Sequence, residues 1–232
     1  MQIRVEFSKL KEIRYISHLE LMDTIRRAVR RAELPAKYTQ GYNPHLVLSL
    51  GQPLAVGMVG LGEFFDLELK EEISSSNIKE RLNNSLPPAI DIKEVKYIPS
   101  KVKSLQAIVN TAIYSINFNY DPGEVNSKKV ANELLSSEKI EIIRKRRKKK
   151  DRKLDLKEMI YNIDVSEQSS VWDFTVSTGS SGNVRPSELI RALVERYDKI
   201  KKVPLVNVVR KGMYVRKNGE LLKPFAKRVV RS

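Results

Sequence analysis

The sequence predicts an α+β protein made of two tandem ferredoxin-like (βαββαβ) domains, and three observations lead to this fold class. The chain has 232 residues, of which 41% are hydrophobic and 31% charged, so a sizeable core can be buried. Apolar residues recur with the period of a strand in some segments and with helical spacing in others. The segments of residues 1–100 follow the order β-α-β-β-α-β, and a similar order begins again after residues 99–106.

The predicted N-terminal domain spans residues 1–100. Its first strand, in "MQIRVEFSK", alternates apolar and charged residues and should therefore be half-buried. Ser17 and Glu20 have the spacing of a capping box that opens a helix. The buried stripe of this helix is predicted at Leu19, Met22, Ile25, Val29 and Ala32. Strands in "AKYTQ", "LVLSL", "EFFDLELK" and "DIKEVKYIP" and a helix in "SSSNIKERLNNSL" complete the order.

The predicted C-terminal domain spans residues 105–232. We expect strands in "QAIVNTAIYSINFNY", "KIEIIRKR", "LKEMIYNIDVSE" and "VWDFTVST", and helices in "NSKKVANELLS" and "RPSELIRALVERY". Pro186 fits the first turn of the second of these helices, where a missing N–H is tolerated. The dipeptide Asn218-Gly219 predicts a type I′ turn in a final hairpin.

Composition excludes several classes of site. The chain contains no cysteine, so it holds no disulfide, thiolate zinc site, cysteine nucleophile or cysteine-bound iron–sulfur cluster. Charges interrupt every apolar run near the N-terminus, which argues against a signal peptide. The uncharged segment 46–62 is broken by Pro53 and glycines, whereas a spanning helix needs about 20 mainly apolar residues. We therefore expect a cytoplasmic protein with no membrane partner.

Positive charge is concentrated in the second half of the chain. Residues 1–100 carry 14 Lys and Arg against 13 Asp and Glu, whereas residues 101–232 carry 29 against 15. Nine of the ten residues in "RKRRKKKDRK" are basic, and this run lies between two predicted strands. A polyanion such as RNA is the expected partner, bound through its backbone phosphates, and a solubilising surface is the alternative.

The predicted RNA-binding residues come from three places in the sequence. The basic run supplies most of them, and the last predicted helix begins beside another. The first helix carries Arg26, Arg27, Arg30 and Arg31 on one face, and the last three of these are predicted to bind RNA. These residues are Arg27, Arg30, Arg31, Arg144, Lys145, Arg146, Arg147, Lys148, Lys149, Lys150, Arg152, Lys153 and Arg185.

The only two histidines, His18 and His45, are candidate catalytic residues. A pair of imidazoles can divide the work of metal-free RNA cleavage, one deprotonating the 2′-OH and the other protonating the leaving 5′-oxygen. Alternatively, each simply hydrogen-bonds to the nearby backbone. A metal shell with Glu20 or Asp23 is disfavoured because helical spacing places these carboxylates on different faces, so we expect neither metal nor cofactor.

A glycine-rich stretch surrounds His45. Residues 38–69 contain five of the ten glycines, and no Walker or dinucleotide-binding pattern accompanies them. Such a stretch favours close approach of another molecule to the backbone, although tight turns in a buried hairpin are the alternative. The predicted binding loop consists of Tyr38, Gln40, Gly41, Tyr42, Asn43 and Pro44.

A long ordered set of motifs gives a resemblance to a known family. The motifs are "ISHLELM", "RRAELP", "YTQGYNPH", "PLAVG", "GEFFDLEL", "RKLDLKEMI", "GNVRPSELIRAL" and "VVRKGMYVRKNGEL". They resemble the radical-SAM-linked proteins, a bacterial family of unassigned function. This resemblance implies that the protein acts with a radical-SAM partner, and the lack of cysteine implies that the partner holds the iron–sulfur cluster.

Three functions follow as hypotheses from these observations. The first is an RNA-binding accessory protein that acts with the radical-SAM partner in tRNA or rRNA modification or maturation, without catalysis of its own. The second is a metal-independent endoribonuclease that uses His18 and His45. The third is a protein–protein adaptor for the radical-SAM enzyme.

Overall fold

The computed structural model describes residues 1–100, 102–145, 150–167, 169–180 and 182–230. The chain divides into two compact units. Unit 1 consists of Met1–Asn110 and the chain from Gly212 onward, and unit 2 consists of Thr111–Lys211. Strands and helices occur in both units, which confirms the predicted α+β class.

The N-terminal part of unit 1 has the strand and helix order β-α-β-β-α-β, followed by a single helical turn. The strands are β1 (Gln2–Lys9), β2 (Leu48–Leu50), β3 (Val59–Glu68) and β4 (Ile90–Ile98), and the helices are α1 (His18–Arg31), α2 (Ser75–Ser85) and the single-turn α3 (Leu105–Ile108). β1 pairs antiparallel with β3 and with β4, and β2 pairs antiparallel with β3. The predicted capping box opens α1, because the Glu20 N–H donates to Ser17 Oγ and the Ser17 N–H donates to the Glu20 carboxylate.

β1 is buried on both faces, so the predicted half-buried strand is wrong. Its apolar residues Ile3, Val5 and Phe7 belong to the main core of unit 1. The alternate residue Arg4 is also 0% exposed. It lies opposite Asp66 in the β1–β3 register and donates two hydrogen bonds to that carboxylate, at 2.7 and 2.8 Å. Alternation in the sequence identifies the charged face of a strand, but it does not show that an ion pair allows this face to be buried.

The buried face of α1 differs from the predicted stripe at its start. Ile25, Val29 and Ala32 are buried as predicted. Leu19 is 69% exposed, and Leu21 is buried instead. Leu21 precedes Ile25 by four residues, so the two side chains share one face of the helix and reach the same core.

Unit 2 also combines helices with antiparallel strands. Its elements are β5 (Thr111–Asn117), α4 (Ser127–Ser136), β6 (Glu141–Arg144), β7 (Arg152–Asp155), β8 (Ile160–Asp164), β9 (Val171–Ser177) and α5 (Pro186–Val194). β9 pairs with β5 and β8, whereas β6 and β7 form a separate two-stranded sheet. Phe118, Trp172 and Phe174 form an aromatic cluster in the core. Pro186 is the first residue of α5, as predicted.

The final strands correct the predicted architecture. β10 (Val208–Lys217) and β11 (Glu220–Leu222) form a hairpin, and α6 (Lys227–Val230) follows it. Asn218 and Gly219 have φ angles of 52° and 82°, as the predicted type I′ turn requires. Among the described residues, one sheet of nine strands has the order β4-β1-β3-β10-β5-β9-β8, with β2 beside β3 and β11 beside β10. The prediction of two tandem ferredoxin-like domains is therefore wrong, because β10 neighbours both β3 and β5. Periodicity identifies a strand, but it does not identify the neighbours of that strand.

Candidate functional site

The predicted binding loop is closed by its own backbone, and we call residues 38–46 the His45 loop. Tyr38 and Leu46 form an antiparallel bridge at its base. The Thr39 N–H donates to the His45 carbonyl at 2.8 Å, and the His45 N–H donates to Thr39 Oγ1 at 3.0 Å. Gly41 has a φ of 126°, a conformation that favours glycine, and Tyr42 beside it is 100% exposed. The loop therefore presents an aromatic ring to solvent from a fixed base.

A cavity of about 380 Å³ in unit 1 is lined by both ends of the His45 loop, together with α1, β1, β2 and β3. We call it the His45 cavity. Its polar lining consists of Gln2, Arg26, Thr39, His45, Ser49, Asp66 and Glu68. The cavity thus brings an imidazole, a guanidinium, an amide, two hydroxyls and two carboxylates together.

Both carboxylates of the His45 cavity are neutralised by neighbouring cations. Asp66 accepts the two hydrogen bonds from the buried Arg4 described above. Burial raises the pKa of Asp66, while the hydrogen bonds and the charge of Arg4 oppose that rise. Glu68 accepts a hydrogen bond from Lys37 Nζ at 2.9 Å. Neither carboxylate is therefore left with an uncompensated negative charge facing the cavity.

Arg26 differs from those two pairs because part of its guanidinium lacks a partner. Its Nη1 donates to Asp23 Oδ1 at 3.2 Å. Its Nε is buried and has no hydrogen-bond partner within the described ranges. Buried polar atoms in native proteins are usually paired, so an unpaired donor beside a cavity requires an explanation.

The two histidines have different surroundings. His45 is exposed and lines the His45 cavity. His18 is the first residue of α1, is partly buried, and is not among the residues lining that cavity. The cavity thus contains one of the two predicted acid–base groups, and the structure does not bring His18 to it.

The arginines on the predicted face of α1 have different surroundings. Arg27 and Arg30 are exposed. Arg31 donates to the carbonyl of Ser85 at 2.6 Å and so links α1 to the end of α2. Arg26, which was not among the predicted RNA-binding residues, is the arginine that reaches the His45 cavity.

The basic run connects the two strands of the β6–β7 hairpin. β6 and β7 pair from Glu141 opposite Asp155 to Arg144 opposite Arg152. Four cations of the hairpin are exposed and make no ion pair within the described part of the chain, and we call them the hairpin cations: Lys145, Lys150, Arg152 and Lys153. Four other predicted residues, Arg146, Arg147, Lys148 and Lys149, lie outside the described residues.

The base of the hairpin is fixed by Asp155. Its Oδ1 accepts hydrogen bonds from the Ile140 N–H at 2.8 Å and from the Lys157 N–H at 3.0 Å. The backbone N–H of Lys157, followed by that of Ile140, lowers the pKa of Asp155. The two ends of the hairpin are thus held together by a carboxylate that stays ionised at neutral pH.

Arg144 and the backbone of Arg185 donate hydrogen bonds to the carboxylate of Glu188. Arg144 donates to both oxygens of the buried Glu188 carboxylate, at 2.6 and 2.8 Å, and this hydrogen bonding raises the pKa of the guanidinium. The backbone N–H of Arg185 donates to the same carboxylate at 2.9 Å. Glu188 thus supplies an anion of the chain itself to Arg144 and to the start of α5. The Arg144 guanidinium is engaged in this internal pair, whereas the Arg185 side chain is exposed.

A second cavity, which no sequence motif indicated, lies in unit 2. It has a volume of about 560 Å³, and its lining includes Lys129, Glu133, Arg196 and Tyr197. The Tyr197 hydroxyl donates to Glu133 Oε2 at 3.3 Å, and burial together with this carboxylate raises the pKa of Tyr197. Since these residues come from α4 and from the segment after α5, sequence spacing gave no signal that they meet.

The comparisons with known proteins place these features in a family. Residues 2–186 match the family model described as an uncharacterised protein conserved in bacteria, DUF2344. The chain belongs to DUF2344. No curated protein matches it.

The DUF2344 match covers the His45 loop, the His45 cavity and the β6–β7 hairpin, and it ends at the first residue of α5. It establishes a conserved bacterial family, while the link to radical-SAM proteins stays a prediction. Within the ranges that the structure describes, the DUF2344 chain has no helix with the length and apolar character needed to cross a membrane.

Proposed function

We propose that this DUF2344 protein binds RNA through the β6–β7 hairpin and acts as an accessory to a radical-SAM enzyme in tRNA or rRNA modification or maturation. The observation that carries the RNA-binding part is the set of hairpin cations, which are exposed and unpaired within the described chain. Unpaired surface cations attract phosphate groups, and they gain free energy from the counterions that RNA releases.

The shape of the hairpin supports this proposal. Arg152 and Lys153 are neighbours on β7, and successive side chains of a strand point to opposite faces. The hairpin therefore carries positive charge on both of its faces and can contact phosphates on either side. Phosphate contacts of this kind position a nucleic acid but do not read its sequence.

The radical-SAM part of the proposal depends on the family resemblance and on the composition. The chain has no cysteine to hold an iron–sulfur cluster. If it serves a radical reaction, the cluster belongs to the partner, and this chain contributes the binding of the substrate. We assign no catalytic step to His18 or His45.

The RNA-binding proposal is tested by the salt dependence of affinity for bulk tRNA in EDTA. The variant K145Q/K150Q/R152Q/K153Q removes the hairpin cations. The matched control K11Q/K70Q/K79Q/K96Q removes four exposed lysines of unit 1 and changes the net charge equally. Because each lost phosphate contact lowers the slope of log K against log salt by about 0.7 to 0.9, the hairpin variant should lose about 3 from this slope.

The two variants and the fate of the tRNA distinguish the three functions. A lower slope in the hairpin variant but not in the control supports binding through the hairpin. Equal losses in both variants would reduce the effect to net charge and contradict the proposal. Cleavage of the tRNA that disappears in His18→Ala would favour the ribonuclease, and no binding at about 50 mM salt would favour the adaptor.

A further inference from the structure

We propose that the His45 cavity binds the phosphate monoester of a nucleotide, with the Arg26 guanidinium as its principal ligand. This inference does not depend on RNA binding by the hairpin, because a free mononucleotide can be the ligand. It assigns to unit 1 a specific site that is separate from the non-specific phosphate contacts of unit 2.

The Arg26 guanidinium has donors without a partner in the described part of the chain. A guanidinium has five N–H donors in a planar fork that matches the oxygens of a phosphate. Arg26 Nε lacks a partner within the described ranges but is itself buried, so a ligand would meet the outer nitrogens of the fork. Nη1 contacts only the half-exposed Asp23, and Nη2 makes no hydrogen bond within the described ranges, so this end of the fork remains available to a ligand in the cavity.

The charged residues that line the cavity have their ion-pair partners outside it. Asp66 is held by Arg4 and Glu68 by Lys37, so the two acidic residues of the lining are already compensated. Arg26 is the one cation among the described residues that line the cavity, because Arg4 and Lys37, which compensate the two carboxylates, lie outside the lining, as Asp23 does. An anion that enters the cavity would therefore find its cationic ligand in Arg26. A cation would have to displace Arg4 or Lys37 from its carboxylate.

Neutral hydrogen-bond donors also line the cavity. Thr39 Oγ1 accepts the His45 N–H, which leaves the hydroxyl hydrogen of Thr39 free to donate. The Ser49 hydroxyl lines the same cavity and makes no hydrogen bond within the described chain. The imidazole of His45 offers a further ring nitrogen. An oxyanion in the cavity would therefore find donors on α1, on β2 and at both ends of the His45 loop.

The cavity has the volume of a small-ligand site, and the His45 loop carries the exposed ring of Tyr42. The cavity volume of about 380 Å³ lies within the range of small-ligand sites. Tyr42 is 100% exposed on the same loop whose ends line the cavity. Tyr42 is not among the residues that line the cavity, so its ring would stack on a base that extends from the bound phosphate out of the cavity. Such a contact is open to a nucleotide and not to an inorganic anion.

The phosphate monoester can come from two sources. One is the 5′-phosphorylated end of an RNA, and the other is a free nucleoside monophosphate. The chemistry at Arg26 is the same for both, and they are distinguished by comparing a short RNA carrying a 5′-phosphate with the same RNA carrying a 5′-hydroxyl.

The test is calorimetric titration at constant ionic strength with uridine 5′-monophosphate, uridine and inorganic phosphate as probes. The wild-type protein should bind the monophosphate at least about tenfold more tightly than uridine, because the charge-assisted hydrogen bonds are lost without the phosphate. R26Q should lose at least about tenfold in affinity for the monophosphate. The matched control K79Q removes an exposed charge on α2, outside the cavity lining, and should retain wild-type affinity.

Further variants separate the parts of the proposal. Y42A should weaken binding of the monophosphate and leave binding of inorganic phosphate unchanged. His45→Asn should also weaken the monophosphate, and it replaces R26Q if the latter fails to fold by circular dichroism. The hairpin variant K145Q/K150Q/R152Q/K153Q should bind the monophosphate like the wild type, so failure of the hairpin proposal and failure of this one are distinguishable.

Several results would overturn the inference. These are equal binding of uridine and its monophosphate, equal loss in R26Q and K79Q, or no binding of the monophosphate to the wild type. Inorganic phosphate bound as tightly as the monophosphate would overturn the assignment to a nucleotide. A preference of about tenfold for the 5′-phosphorylated RNA, absent in R26Q, would identify an RNA end as the source.

Discussion

At the scale of single residues, Arg4 is a fully buried charge of unit 1. It is 0% exposed, and besides its two hydrogen bonds to Asp66 it donates to the carbonyl of Pro224 at 2.8 Å. A buried ion pair adds little to stability compared with apolar residues of similar size, but loss of one member leaves a buried charge uncompensated. Arg4 thus joins a strand at the start of the chain to a segment near its end.

Replacing Arg4 by Met should therefore be costly. We expect R4M to lower the free energy of unfolding by about 3–5 kcal/mol, because the Asp66 carboxylate then remains buried without its partner. Urea denaturation measures this change. A carboxyl whose pKa is higher in the folded chain than in the unfolded chain binds more protons when folded, so the stability of R4M should fall as the pH rises.

Two control variants separate charge burial from loss of packing. Glu68 lies on the same strand as Asp66, but the pair Lys37–Glu68 is much more exposed, so Lys37→Met should cost less than about 1 kcal/mol. The double variant R4M/D66L removes both charges and should recover most of the stability lost in R4M. If R4M/D66L is as unstable as R4M, the loss does not come from an uncompensated charge.

At the scale of elements, α1 shows how a cap and a core determine the same helix. The Ser17–Glu20 capping box fixes where the helix starts. Ile16, just before the cap, packs against the same core as Leu21, which is the arrangement of a hydrophobic staple. Leu19, two residues earlier than Leu21, is left facing solvent.

Alanine variants of the two leucines test this assignment of faces. Leu21→Ala should cost about 2–5 kcal/mol, because it leaves a cavity in the core of unit 1. Leu19→Ala should change the stability by no more than about 0.5 kcal/mol, because its side chain is mostly in water. Thermal unfolding of the two variants gives the comparison, and a larger loss for Leu19→Ala would contradict the structure.

The sequence could predict local features of α1 and of other elements. The capping box, Pro186 at the start of α5 and the Asn218-Gly219 turn were predicted correctly, because each depends on neighbours only a few residues away. The exposure of Leu19 was not predicted, because the residue that reaches the core depends on how the helix packs.

The candidate site likewise has local parts that the sequence could predict and parts that depend on the fold. The His45 loop and the β6–β7 hairpin are continuous in sequence, so their composition pointed to them directly. The His45 cavity also needs Arg26 from α1 and Asp66 from β3, and no spacing rule predicts such a meeting. Likewise, Arg144 was counted with the basic run because its partner Glu188 lies 44 residues later.

At the scale of the whole molecule, β10 explains why the tandem architecture was not found. Its residues up to Lys211 belong to unit 2, and those from Gly212 onward belong to unit 1. Met213 is 1% exposed and packs with Phe64, Leu105 and Val109. The last segment of the chain thus supplies part of the core of the first unit, although a domain order read from the sequence keeps its segments consecutive.

This arrangement predicts which unit loses stability when a side chain of the C-terminal segment is shortened. Met213→Ala should cost about 2–5 kcal/mol, and the loss should appear in unit 1, because its core partners Phe64, Leu105 and Val109 belong to that unit. In native-state hydrogen exchange, M213A should lower the protection of amides in β3 more than in β9, because compact units open separately. Val176→Ala, a buried change on β9 of unit 2, should show the opposite order. Equal loss of protection in β3 and β9 for both variants would mean that the chain opens as one cooperative body, and the division at Lys211 would then have no energetic meaning.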